Sequence, residues 1–384
     1  MSASRGSPVL LALCAACAGV SVRPDRVDAA TLPTIDVSAA DAQERDAQIE
    51  SAIDAVVRRR YGEAEAAARA ALALDPRAAR ARAVLGMVTF QKAGLDDPPD
   101  LFLLHEGEAE LELARQLAPD DAFVGWMHAV LLAEGGHLSA AAETAEGALR
   151  RAIGAPAAER AALLGIAGTY RYELGEERAA VPHLQAYVAL RPDDATAQFR
   201  LGASLLRIAA LPSGPRPNSL VAAQAQADGA ARAFARCAEL VPGDDDVALA
   251  AGAALVRAAE LAGERGDLPA REQRWHDAEV RFRAVAERFP TSAEAVFRLG
   301  VVAELRGDEA AARVAYTDAL QRDPAHLGSL LNLARSHERT GARDGESAVR
   351  ELLQRALRVG TELGTLSDEE RAAITARLAA GAEP

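Results

Sequence analysis

Lysine is almost missing from this chain: Lys92 is the only one, and the formal net charge is −13. A protein that tracks nucleic-acid phosphates needs clustered cations in surplus, so that class of partner is excluded as an expectation. Arginine is plentiful but interleaved with acids, which reads as a mixed, solvated surface. Aromatics make up 4% of the residues although half are hydrophobic, and much of the apolar content is alanine. No stretch alternates β-branched and polar residues with period two, so a sheet core is excluded and close-packed helices are expected. Cysteine occurs three times, at Cys14, Cys17 and Cys237, too few for a disulfide framework. The seven histidines are scattered and none forms a His-x-x-x-His pair on a helix face, so no metal site is read. Glycine pairs such as Gly135-Gly136 lack the lysine and hydroxyl residue that a phosphate cradle requires. No catalytic residue and no cofactor is expected.

What is present is a repeat. Residues 293–326, AEAVFRLGVVAELRGDEAAARVAYTDALQRDPAH, contain two helical hydrophobic patterns separated by Arg306-Gly307-Asp308. Gly300 and Ala312 fall where two helices of one hairpin approach closely, and a larger side chain at either would push them apart. Ala319 is expected to do the same against the next repeat, while Leu299, Tyr316 and Leu320 fill the space between. Gly307 can adopt the left-handed conformation that stops the first helix, and Pro324 cannot extend the second.

Leu299-Gly300, Ala312, Tyr316, Ala319-Leu320 and Pro324, at these offsets, resemble the tetratricopeptide repeat (TPR). The resemblance implies an all-α fold: an α-solenoid of about eight helical hairpins, forming a right-handed superhelix with a C-terminal capping helix. Equivalent signals recur at Leu85-Gly86, Ala167-Gly168, Leu201-Gly202, Ala251-Gly252 and Leu333-Ala334. The first repeat has Ser51-Ala52 at that place. The superhelix is expected over residues 42–366, with insertions near 94–102, 211–226 and 263–276 that fall between first and second helices. Ser219 is read as the N-cap of a long second helix after the proline-rich stretch 211–217. Pro269 suits the first turn of another helix. Residues 367–384 are the capping helix and tail, opened by a capping box at Ser367-Asp368-Glu369-Glu370.

The N-terminus is read separately. Residues 1–17 carry one basic residue, Arg5, and a short apolar run from Val9 to Ala16, too short to span a bilayer. Leu13-Cys14-Ala15-Ala16-Cys17 resembles a bacterial lipobox, with Cys14 where leucine is usual. The resemblance implies lipidation at Cys17, and Ala18 after it resembles lipoproteins sent to the outer membrane. Ordinary signal cleavage, giving a soluble periplasmic protein, and an unprocessed cytoplasmic start remain open. Residues 18–41, with Pro24 and Pro33 and no period, read as a flexible tether.

In proteins of the resembled family the first helices line a concave face. Carried over residue by residue, that implies a groove bearing Phe90, Trp126, Tyr172, Phe199, Arg207, Arg257, Phe297 and Arg335. Aromatic and arginine side chains dominate binding energy at interfaces. The reading for the aromatics stays double, as groove anchors or as filling between repeats. The lysine and asparagine clamp of chaperone-binding relatives is missing, since only Asn218 and Asn332 are asparagines. The expected function is a non-enzymatic protein-interaction scaffold, membrane-attached through its lipid; the alternative is a small-ligand-binding accessory protein of a transport system.

Overall fold

The computed structural model describes residues 28–94, 99–211, 217–340 and 345–380. Among them are seventeen α-helices and no strand, as the alanine-rich composition requires. The fold is an α-solenoid of helical hairpins, and it divides into two compact units at Asp193/Asp194. The segment 1–17 with its lipobox and Cys17 lies outside the described residues, as do residues 18–27 of the expected tether.

The first unit holds α1 (Ala39–Val57), α2 (Tyr61–Leu74), α3 (Ala79–Ala93), α4 (Leu101–Leu117), α5 (Ala122–Glu134), α6 (Leu138–Arg151), α7 (Ala157–Glu173) and α8 (Glu177–Leu190). The second holds α9 (Ala195–Ala210), α10 (Pro217–Leu240), α11 (Asp245–Glu264), α12 (Leu268–Arg288), α13 (Ala293–Leu305), α14 (Glu309–Arg322), α15 (Leu327–Thr340), α16 (Gly345–Glu362) and α17 (Asp368–Ala380). Each odd-numbered helix up to α15 is the first of a hairpin and the next even one its partner.

The small residues sit where backbones meet. A Cβ added to Gly86 would lie 2.7 Å from the Gly107 carbonyl oxygen, and one on Gly300 would lie 2.6 Å from the Tyr316 ring. The same test at Gly168 and Gly202 meets Leu184 and Phe234, each on the partner helix of the same hairpin. In the first repeat Ala52 takes this place and is fully buried. Ala319 is fully buried in a cluster with Ala293 and Val296 of its own hairpin and Ala286 of the preceding one, while Ala312 and Tyr316 join the core that holds Leu330 and Leu333 of the next repeat.

Turns between paired helices repeat one device. Gly136, Gly175, Gly266 and Gly307 have φ between 74° and 84°, and Arg59 holds the same place at φ 58°. Between hairpins, aspartates begin several of the first helices. Asp194 accepts the Ala197 amide at 2.9 Å and Asp244 that of Val247 at 3.2 Å, so these acid clusters are N-caps. The capping box at α17 is present: the Ser367 amide donates to Glu370 at 2.8 Å, and the Glu370 amide to Ser367 Oγ at 3.2 Å.

Other boundaries move. The long helix after the proline-rich stretch starts at Pro217, not after a Ser219 cap, because proline at the first helical position gives up no hydrogen bond. The insertion near 263–276 is taken up by helix: α11 has 20 residues and α12 has 21, with only a short turn at Arg265-Gly266-Asp267. Pro269 lies in the first turn of α12, behind the Asp267 cap. Parts of the other two insertions, 95–98 and 212–216, lie outside the described residues. The solenoid begins at Ala39 rather than at 42, with Ser38 as N-cap. From Asp28 the chain before it is docked, not free: residues Ala29–Thr31 form a 3₁₀ turn, Arg77 donates to the carbonyls of Ala29 (2.9 Å) and Leu32 (3.4 Å), and the Ala29 amide donates to Gln116.

Candidate groove of the second unit

Helices α11 and α13 are the first helices of consecutive hairpins, and the space along them is concave. An open cavity of about 610 Å³ is floored by Leu249, Ala250, Ala253 and Ala293. Asp246, Glu294, Arg298, Asp323 and His326 stand around it. A second recess of about 210 Å³ continues along the same helices between Arg257, Glu260, Phe282 and Val301. Ala253 and Arg298 line both, so the two recesses adjoin along these helices. Their floor follows from spacing: Asp246, Ala250, Ala253, Arg257 and Glu260 recur at three and four residues along α11, one face of a helix.

The polar groups are held by specific contacts. His326 caps α15: its Nδ1 accepts the Ser329 amide at 3.2 Å, which leaves the proton on Nε2 to be donated to Glu294 at 2.9 Å. Glu294 also accepts from Arg298 at 2.5 Å. Burial pushes the Glu294 carboxyl up, yet the hydrogen bond from His326 and the charge of Arg298 outweigh it, and the group ends below the usual carboxylate range. The order Ser329, His326, Glu294 has the reach of a nucleophile and base, with Ser329 Oγ 2.9 Å from Nδ1. Ser329 is fully buried, however, and Nδ1 is already engaged by the helix amide, so the hydroxyl is closed to a substrate carbonyl. Among the described residues no group of three or more His, Cys, Asp or Glu converges on a metal position.

The residues expected in a groove fall into three situations. Arg257 lines the smaller recess, with Nε donating to the Ala209 carbonyl at 3.1 Å and Nη1 to Glu260 at 2.9 Å. Arg207 and Arg335 are exposed on α9 and α15, Arg335 donating to Asn332 at 3.2 Å. The aromatics are half-buried and mostly packed within their own units. Trp126 lies between two clusters of the first unit, edge-on to the buried Phe123 at 5.6 Å; Phe90 packs on the same core, and Tyr172 is half-buried on α7. Phe199 meets Phe234 edge-on at 5.6 Å. Phe297 sits 4.9 Å from the His326 ring and 5.7 Å from that of Tyr316. Sequence reasoning missed Asp246, Glu294, Arg298 and Asp323, because each resembles an ordinary helix-end acid or a surface arginine when read alone. Cys237 is buried and donates to the Ala195 carbonyl at 3.1 Å, and burial pushes its thiol up, as befits a packed side chain.

A family model of the tetratricopeptide repeat matches residues 49–95, 166–212 and 264–326. No curated protein sequence matches the chain. Among solved structures, it is similar to YrrB, a TPR protein with an unusual peptide-binding site, at 19% identity and a TM-score of 0.42, over 58% of this chain and 96% of YrrB. It is similar to PilF of Pseudomonas aeruginosa at 17% identity and a TM-score of 0.40, over 67% of this chain and 96% of PilF. Human IFIT1, solved as a dimer with m7Gppp-AAAA, matches at 18% identity and a TM-score of 0.36, over 84% of this chain and 68% of IFIT1.

Proposed function

Because the chain is a tetratricopeptide-repeat protein, we propose that it is a non-enzymatic scaffold that seats a segment of another protein in the groove along α11 and α13. The observation that carries the reading is the groove itself, two adjoining recesses with an alanine floor and charged walls on the first helices of consecutive hairpins. Alanine lets a partner backbone approach closely, and the walls supply orientation without needing a reaction. Ala250→Trp and Ala253→Trp, which fill the floor of the groove without changing its charge, should each weaken a bound partner segment at least tenfold, read by fluorescence anisotropy, with an unchanged helical circular dichroism spectrum. Retained affinity in both variants would count against this seat.

The same proposal sets the scaffold on the periplasmic side of a bacterial outer membrane, held by lipid on Cys17. It is supported by Leu13-Cys14-Ala15-Ala16-Cys17 and by the short apolar run before it. No described helix is long and apolar enough to cross a membrane. Labelled palmitate should enter the wild-type chain and not Cys17→Ser; an intact Met1 in the purified protein would contradict it. A second reading, a small-ligand accessory protein, draws on the cavity volume of about 610 Å³, within the range that holds small molecules. A melting-temperature screen separates the two, since a ligand bound only by the folded state raises it.

A further inference from the structure

Two repeats of this chain superimpose in sequence without a gap. Arg59 and Gly307 hold the same left-handed turn position, and Asp75 and Asp323 both follow a 14-residue second helix and precede a proline. The offset that relates these pairs also sets Arg45 against Ala293 and Asp46 against Glu294. In the first unit Arg45 is gripped by both acids: its guanidinium lies 3.1 Å from Asp75 Oδ2 and 2.7 Å from Asp46. The carboxylate of Asp75 is aimed by its other oxygen, which accepts the Arg77 amide at 2.8 Å.

In the second unit the acids remain and the guanidinium is gone. Asp323 is aimed in the same way, its Oδ1 accepting the Ala325 amide at 2.9 Å, while Oδ2 has no hydrogen bond or ion pair among the described residues. Glu294 stands at the place of Asp46, and the methyl group of Ala293 replaces the arginine side chain. The large cavity opens at that place, lined by Ala293, Glu294 and Asp323 together with Asp246 of α11. Arg298 and His326 also face it, but both are engaged by Glu294, so Asp246 and Asp323 keep uncompensated charge.

We propose that the cavity of the second unit receives an arginine side chain from a basic, extended segment of the partner protein, whose guanidinium takes the place at Asp323 that Arg45 takes at Asp75. This rests on the groove reading above and names its occupant. The apolar floor of Leu249, Ala250 and Ala253 accommodates the aliphatic stem, and the acidic rim takes the planar head, which a carboxylate can accept at two points. Lysine fits less well, as a point charge that makes no such forked contact.

The test uses the full chain and four pools of fluorescein-labelled dodecapeptides, randomised except for Arg, Lys, Gln or Glu fixed at the centre. Anisotropy should rank the Arg pool at least tenfold tighter than the Gln pool, with Lys between and Glu weakest. Asp323→Asn should remove most of that preference. Ala293→Arg restores the internal guanidinium that the first unit already accommodates, and it should fold and exclude the Arg pool. If Ala293→Arg misfolds, Asp323→Asn alone decides. Pools that bind alike, with binding lost in Ala250→Trp, would overturn the arginine seat and leave the groove standing. Failure of every pool to bind would overturn both.

Discussion

Gly252 of α11 has no room for even a methyl group. A Cβ there would lie 2.7 Å from Phe282 Cζ, and that ring is fully buried on α12. Gly252→Ala should therefore lower stability by about 1–3 kcal/mol, the usual cost of overpacking, read by urea denaturation. Combining it with Phe282→Leu should recover part of the loss, since the two side chains compete for one volume. Positions of this kind were legible in the sequence because the demand recurs with the repeat: Leu-Gly or Ala-Gly pairs mark five first helices, and the structure puts each glycine against its partner helix. The groove was less legible. Phe297 and Trp126 carry an aromatic signal that packing and binding share, and their rings lie against Tyr316, His326 and Phe123. The acidic wall had no signal of its own, because Asp323 gains meaning only from the arginine that Ala293 lacks.

Helices are joined by a turn that demands positive φ, and one of these turns is built without glycine. Arg59, at φ 58°, carries a conformation that costs a non-glycine residue on the order of 1 kcal/mol, where Gly307 and Gly266 carry none. Arg59→Gly should raise the melting temperature by a few degrees at most, since the added freedom of the unfolded chain offsets part of the relief. Between hairpins, Arg171 of α7 clasps Glu146 of α6 through two contacts, at 2.8 and 2.9 Å, with both side chains mostly buried. The Arg171 hydrogen bond holds the Glu146 carboxyl below its usual range against the opposing effect of burial. A depressed carboxylate adds stability that is complete above its unfolded pKa, about 4.3, and is lost as pH falls through the lower folded value. Arg171→Gln should thus cost about 1–3 kcal/mol at neutral pH, with the gap to wild type closing below about pH 4 in parallel melts. Helix existence and pairing followed from the 34-residue period, but lengths did not: α11 and α12 absorb their extra residues as added turns, and nothing in a local window separates that from a loop.

For the molecule as a whole, the proposed arginine seat sits in a chain of net charge −13 with one lysine, a balance that suits basic protein segments. Association should weaken as salt rises, because the contacts at the rim are screened over about 8 Å at physiological ionic strength. The scaffold account stands or falls on where the partner lies. A photo-crosslinking side chain placed at Ala253, in the groove floor, and separately at Val314, exposed at 71% on the second helix of its hairpin, tests this in the cell that makes the protein. One discrete crosslinked species is expected from position 253, absent from position 314 and abolished by Ala250→Trp, which fills the groove floor. Equal crosslinking from both positions, or none from 253 while 314 captures the partner, would contradict it.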